Sequence, residues 1–145
     1  MKQTLTVAGA FGLVLALGCG PALAQDQIHS LGTPLLGINE VGHEGAGEDA
    51  GGDFSGEIDM GAGTLCFYLD VYGLDDMTAA HMHNAPEGEN GPPVMVLEID
   101  ESGDEACAEA DAELLADIAQ NEENYYVNVH TQTLPAGAIR GQFGG

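Results

Sequence analysis

The sequence predicts an all-β protein, an antiparallel Greek-key-like β-sandwich of about seven strands with one short helix. Short stretches in which apolar and polar residues alternate are separated by turns rich in glycine, proline and asparagine, which is typical of such sandwiches. Only one segment, near residues 111–120, has the spacing of a helix. Because no internal repeat is present, the pattern indicates a single domain.

The strands are predicted from individual segments of alternating character. The segment "TLCFYLDVYGL" (64–74) is the clearest, since Leu65 and Phe67 face one side while Tyr68 and Asp70 face the other. The other strands are predicted in "LLGINEV", "DFSGEIDM", "AAHMHNA", "PVMVLEI", "YYVNVHTQT" and "AIRGQF".

The helix is predicted to begin after Asp111, because an aspartate at this position can accept hydrogen bonds from the free amides of the first turn. Leu114, Leu115 and Ile118 then lie on one side of it. By contrast, residues 42–57, "GHEGAGEDAGGDFSGE", consist of glycine and acid with almost nothing to bury. They are predicted to form a flexible surface loop.

Residues 1–24 have the features of a signal peptide. Lys2 provides the positive charge, "LTVAGAFGLVLALG" is an apolar stretch too short for a comfortable membrane span, and "ALA" precedes the expected cleavage before Gln25. Residues 25–145 are therefore expected to be exported as one domain, to the periplasm or the extracellular medium. A lipoprotein anchored through Cys19 is the alternative, which Ala16 disfavours because it is a poor residue at the upstream position.

The composition is strongly acidic, with 24 Asp and Glu against 2 Lys and Arg and a formal net charge of −22. Such a surface repels nucleic acid and anionic membranes and attracts cations. After the predicted signal, Arg140 is the only Lys or Arg. The acidic stretches lack the spacing of a calcium loop, so the charge is interpreted as an adaptation to salty surroundings, where ions screen self-repulsion.

Two cysteines, Cys66 and Cys107, follow the predicted signal. An exported chain enters an oxidising compartment, so a disulfide between them is expected. Ligation of copper by a thiolate is the alternative that the sequence leaves open.

His81 and His83 are the first candidates for a functional site. They lie two residues apart in "AHMHNAPEGENGPP", so their rings share one face of a predicted strand. His130 belongs to another predicted strand, on the face that also carries Asn128. Three imidazoles that converge can hold a transition metal at about 2.0–2.1 Å per nitrogen and leave coordination positions open. The alternative is that each ring binds backbone carbonyls and fixes the loop at 84–92.

Neutral imidazoles suit copper, zinc, nickel and iron, and an oxidising exported site favours copper, with zinc as the second choice. His43, in the predicted flexible loop, is a candidate for a fourth ligand, although a histidine in such a loop is more often solvated. The sequence has neither a nucleophile elbow nor a phosphate-binding glycine loop, so hydrolytic chemistry is not supported.

Several motifs in combination resemble the CHRD domain, a module named for chordin and found in many exported bacterial proteins. They are "AHMHNAPEGENGPPVMVLEI", the predicted helix "DAELLADIAQNEEN" and "YYVNVHTQTLPAGAIRGQF", and the similarity covers about residues 33–143. Ala138 stands where an acid is common in the family. The family name implies little biochemistry, because the growth-factor antagonism of chordin does not transfer to a chain of one domain.

The order of a His-x-His strand, a Val-His strand and an arginine is also similar to the copper ligands and the anion-guiding arginine of copper–zinc superoxide dismutase. By that analogy His81, His83 and His130 would hold copper with Arg140 nearby. The negative surface argues against dismutation, because superoxide is an anion. Alternatively, Arg140 pairs with a carboxylate and fixes the last strand.

The sequence thus predicts an exported protein that binds a metal ion, copper before zinc, through three histidines and serves storage, delivery or redox protection. The first alternative is a non-catalytic structural or interaction module in which the histidines are structural. The second is a copper-dependent enzyme similar to superoxide dismutase. Binding is favoured over turnover. A metal ion is the expected partner, nucleic acid is not expected to bind, and no membrane span is expected after the signal.

Overall fold

The computed structural model describes residues 28–99 and 103–144 of the 145-residue chain. Within these ranges the chain forms eight strands and one α-helix. The strands are β1 (Ile28–Leu36), β2 (Gly51–Asp59), β3 (Thr64–Tyr72), β4 (Met77–Asn84), β5 (Pro93–Leu97), β6 (Ala106–Glu109), β7 (Tyr125–Thr131) and β8 (Ile139–Gln142), and helix α1 spans Ala112–Gln120. The predicted signal peptide and Cys19 lie outside the described residues.

All strand pairs are antiparallel and belong to one sheet, in the order β5-β4-β7-β8-β1-β2-β3-β6. The edge strands β5 and β6 also contact each other, so the sheet curls until it nearly closes. The predicted all-β antiparallel class is confirmed. The detail that differs is the division into two sheets: β8 pairs with β1 through Leu36 and Arg140, and this junction makes the sheet continuous.

The core lies inside the curled sheet and is built from alternate residues of the strands. Phe54 of β2 stacks on Phe67 of β3 with ring centroids 5.5 Å apart, and Phe143 packs on Phe54 edge-on at the same separation. Leu115 and Ile118 of α1 are fully buried against this interior. Burial of such large apolar side chains, at about 25 cal/mol per Å², is the main stabilising contribution to the fold.

The predicted loop over 42–57 is wrong from Gly51 onward, because Gly51–Asp59 is strand β2. Its glycines are required by close packing and do not indicate flexibility. A Cβ on Gly52 would collide with the carbonyl oxygen of Asp70 on β3, and one on Gly51 would lie 2.5 Å from the hydroxyl of Tyr72. Only the part before β2 is without a strand or an α-helix.

Two strands differ from the predicted pattern. The first strand begins earlier than "LLGINEV": β1 ends at Leu36, and Gly37–Asn39 is a 3-10 turn. The sequence does not predict β6. This strand has only 4 residues, with the sequence "ACAE", and so lacks the large apolar side chains typical of a strand. A disulfide between Cys66 and Cys107 holds this edge strand to β3, where the two cysteines are directly paired.

The predicted helix is confirmed. Asp111 occupies the N-cap position of α1, although its side chain makes no capping hydrogen bond. With nine residues, α1 is far too short to cross a bilayer, and no other helix within residues 28–99 and 103–144 could do so.

Candidate metal centre

The three predicted histidines lie together on two neighbouring strands. In the β4–β7 ladder, His81 is paired with Asn128, His83 with Tyr126, and Ala79 with His130. His130 is therefore one diagonal step from His81 on the same face of the sheet. The alternation of side chains on each strand places all three rings on the side facing away from buried Met82.

The three rings converge closely. Ring centroids are 5.0 Å apart for His81 and His130, 5.7 Å for His81 and His83, and 6.1 Å for His83 and His130. One nitrogen from each ring lies within 4.8 Å of the others. Tetrahedral coordination at about 2.0 Å per nitrogen needs nitrogens about 3.3 Å apart. The observed separations are thus at most about 1.5 Å longer than that spacing.

Hydrogen bonds to loop carbonyls orient two of the rings. The Nδ1 of His83 lies 2.9 Å from the carbonyl oxygen of Gly91, and that of His130 lies 3.2 Å from the carbonyl oxygen of Pro135. A carbonyl only accepts, so each neutral ring must donate from Nδ1 and keep its lone pair on Nε2. In both residues Nε2 is buried and has no hydrogen-bond partner among residues 28–99 and 103–144. This is the tautomer in which Nε2 can act as a metal ligand.

Burial disfavours the protonated form of two of the rings, those of His83 and His130. Burial lowers the pKa of His83, with smaller contributions from the neighbouring His81 and Arg140. Burial also lowers the pKa of His130, again with a contribution from His81. A neutral imidazole can bind a metal ion, whereas a protonated one cannot.

The same face of β7 carries Asn128, which is 3% exposed. Its Nδ2 donates to Oε1 of Glu40 at 2.7 Å, while its own Oδ1 is buried and has no hydrogen-bond partner within the described ranges. Burial raises the pKa of Glu40 despite the hydrogen bond from Asn128, which acts in the opposite direction. Asn128 therefore connects the histidine face to a buried carboxyl group on the loop that follows β1.

His43 is not part of the group of three. Its Nδ1 accepts a hydrogen bond from the amide of Gly45 at 3.2 Å, and its Nε2 lies 3.8 Å from Oε2 of Glu40. Among the described residues, the group that could share an ion consists of His81, His83 and His130. The fourth-ligand role predicted for His43 is thus not supported by the arrangement.

Arg140 lies behind the site and is 2% exposed. Its guanidinium donates to Oδ1 of Asn90 and to Oε1 of Gln142, each at 3.1 Å. Its Cζ lies 3.4 Å from the ring centroid of Tyr126, which in turn stacks on His83 at 4.8 Å with an interplanar angle of 9°. The guanidinium is therefore hydrogen-bonded to amide oxygens and not to the expected carboxylate. Its planar group also makes a cation–π contact with Tyr126.

Tyr126, Gly91 and Pro135 contact the histidines but were not predicted from the sequence as part of the site. Tyr126 alternates with Asn128 and His130 on one face of β7, so its place beside the histidines was available from the strand pattern. Gly91 and Pro135 act only through their carbonyl oxygens. No side-chain pattern could indicate them, because every residue has a carbonyl.

The CHRD domain family model matches residues 31–143, nearly all of the described chain. The chain belongs to the CHRD domain family. The resemblance inferred from the sequence motifs is therefore confirmed. The matched part of this CHRD domain contains the three histidines, Asn128, Arg140 and both cysteines of the disulfide. No curated protein and no solved structure is significantly similar to the chain.

Proposed function

We propose that this CHRD-domain protein binds one transition-metal ion, copper before zinc, through His81, His83 and His130. The observation that carries the proposal is the pair of buried Nε2 atoms, on His83 and His130, for which the described part of the chain provides no hydrogen-bond partner. A buried polar atom without a partner costs about 1–3 kcal/mol. Coordination of a cation is a direct way to satisfy both atoms at once.

The donor set supports the choice of metal. The group consists of imidazoles alone, and Cys66 and Cys107 are not available as thiolates because they form the disulfide. Imidazole suits copper and zinc, whereas calcium and magnesium prefer oxygen ligands. Three ligands leave at least one position open for water or an exchange partner. The net charge of −22 favours the approach of any cation.

Storage, delivery or redox protection in an exported compartment is the role that we propose for such a site. The predicted signal peptide motivates export, and a disulfide is stable in oxidising compartments. Dismutation is not part of the proposal. Arg140 is buried behind Tyr126, so it offers no exposed positive charge to an incoming anion.

A structural role for the histidines is the second candidate. It is favoured by the bonds from His83 to Gly91 and from His130 to Pro135, which anchor two loops. A structural role accounts for the hydrogen bond that Nδ1 of each ring makes. It leaves the buried Nε2 atoms unexplained.

Calorimetric titration of the chelator-treated protein with Cu(II) and Zn(II) separates the two candidates. We expect one ion per chain, and His83→Ala should weaken binding by at least about tenfold. His29→Ala is the matched control, because His29 is bonded to Glu122 at 2.9 Å and is not in the group. Absence of binding by the wild type, or equal affinities of wild type and His83→Ala, would refute the proposal.

A further inference from the structure

Behind the three-histidine group stands a stack of three side chains. The ring of Tyr126 lies between His83 on one face and the guanidinium of Arg140 on the other, at 4.8 Å and 3.4 Å. The hydroxyl of Tyr126 accepts a hydrogen bond from the amide of Gly91 at 3.2 Å, and Gly91 also binds the His83 ring. Tyr126 is thus held through its ring by His83 and Arg140 and through its hydroxyl by Gly91.

The cation in this stack is unusual for the chain. Arg140 is the only Lys or Arg among the described residues, against an excess of acids. A surface position would pair it with one of many carboxylates, yet it is 2% exposed and hydrogen-bonded to two neutral amides. Neutral amide partners do not compensate the positive charge directly, as a carboxylate partner would.

That charge is close enough to act on a bound ion. The two stacking separations add to roughly 8 Å between the guanidinium and the His83 ring, and buried charges are poorly screened over such a distance. Glu40 and Glu87 also lie within electrostatic range of Arg140. The guanidinium of Arg140 is joined to the His83 ring by the Tyr126 stack, at the separations given above.

We propose that the Arg140–Tyr126 stack shifts the relative affinity of the three-histidine site toward the ion of lower charge, Cu(I) over Cu(II). A fixed positive charge repels a divalent ion twice as strongly as a monovalent ion at the same distance. The stack therefore costs Cu(II) more binding energy than Cu(I). This inference rests on the proposed function and adds the charge state of the bound metal.

The test compares the dissociation constants for Cu(I) and Cu(II), measured by competition with chelators of known affinity, with Cu(I) kept reduced by ascorbate under nitrogen. Asn90→Asp keeps Arg140 but places a carboxylate at its hydrogen-bond partner, on an exposed residue. Arg140→Gln removes the charge. In both variants we expect the affinity for Cu(II), relative to the affinity for Cu(I), to rise by on the order of tenfold. The affinity for Zn(II), which has no redox chemistry, should also rise relative to the affinity for Cu(I).

Two controls isolate the charge. Arg140→Lys retains the positive charge without the planar stack and should keep most of the wild-type ratio. Ser55→Asp adds a carboxylate at an exposed position of β2, three strands from β7, and should leave the ratio unchanged.

The outcomes are distinct. If wild type binds neither ion, the proposed function itself fails. If it binds copper but Asn90→Asp leaves the Cu(I)/Cu(II) ratio at the wild-type value, the inference is overturned. It is also overturned if Arg140→Gln weakens both ions equally, since that marks a purely structural role. Should Arg140→Gln fail to fold, Asn90→Asp decides alone.

Discussion

The Nδ1 of His83 lies 2.9 Å from the carbonyl oxygen of Gly91, so the loop that follows β4 returns to orient a ring of that same strand. Gly91 cannot carry a side chain here, because a Cβ would collide with the carbonyl of Asn84. The geometry of the candidate site therefore depends on a residue that contributes only backbone.

Substitution Gly91→Ala should displace this carbonyl and release the His83 ring. We expect a loss of stability of about 1–3 kcal/mol from the forced backbone shift. Metal affinity should fall with it, by roughly tenfold, as for other groups that orient a ligand. Urea denaturation and metal titration measure the two effects. Glu89→Ala, an exposed change in the same loop, should alter neither, and a fully stable Gly91→Ala would contradict the account.

Metal binding should raise thermal stability, because an ion that binds only the folded chain shifts the unfolding equilibrium. At a free metal concentration one hundred times the dissociation constant, the gain is about 2.7 kcal/mol. Differential scanning calorimetry with and without Cu(II) or Zn(II) gives the shift in Tm. His130→Gln should abolish it, whereas His29→Ala should not; an equal shift in both variants would point to binding elsewhere on the acidic surface.

Acid should destabilise the metal-free protein through His83 and His130. Their pKa values are lowered in the folded state, so the unfolded chain binds these protons more readily. Stability is therefore complete above the unfolded value of about 6.5 and falls as the pH drops through the lowered folded values. Urea midpoints between pH 8 and 4.5 measure the fall. A double variant, His83→Gln with His130→Gln, should lose less stability over this interval than wild type.

Alkaline pH should act through Tyr125, whose hydroxyl donates to the carboxylate of Asp117 on α1. Burial, with help from Asp117, raises the pKa of Tyr125 to about 12. A raised folded pKa means that the contribution to stability is complete below the ordinary value of 10 and disappears as the pH rises toward 12. The stability difference between wild type and Tyr125→Phe should therefore shrink across that interval. A constant difference would show that ionisation of Tyr125 is not coupled to unfolding.

Replacement of both cysteines by alanine should cost about 2–5 kcal/mol, the usual effect of losing a native disulfide. Cys66 and Cys107 are 41 residues apart in sequence, and their bond holds the edge strand β6. Copper affinity should stay unchanged in the folded fraction, because neither cysteine belongs to the group His81, His83 and His130 that could share an ion. A large drop in affinity without a loss of folding would revive ligation by thiolate.

Period-two alternation predicted the faces of β3 and β7 well, because their inward side is large and apolar and their outward side is not. The same alternation put His81 and His83 on one face of β4. It could not show that β4 and β7 are neighbours. Their pairing joins residues more than 40 positions apart, as in Ala80 with Val129, and depends on the whole sheet.

Glycine content was the least informative feature of the sequence for distinguishing strands from loops. The segment before β2 and the strand itself have similar glycine-rich, acidic compositions, yet only the strand uses glycine for close approach, at Gly51 and Gly52. Composition does not distinguish a glycine that is free to move from one that has no space for a side chain. Strand β6 was missed for a related reason, since its pairing with Cys66 is a tertiary contact that local propensity does not record.

The junction that makes the sheet continuous has a mechanical consequence. Arg140 supplies the β8 half of the pair with Leu36, its carbonyl accepts from Asn39 at 3.1 Å, and its side chain rests on Tyr126. A displacement of β8 at this junction would therefore move the guanidinium and, with it, the tyrosine ring that stacks on His83. The backbone that closes the gap between β1 and β8 and the side chain that supports the histidine group belong to the same residue.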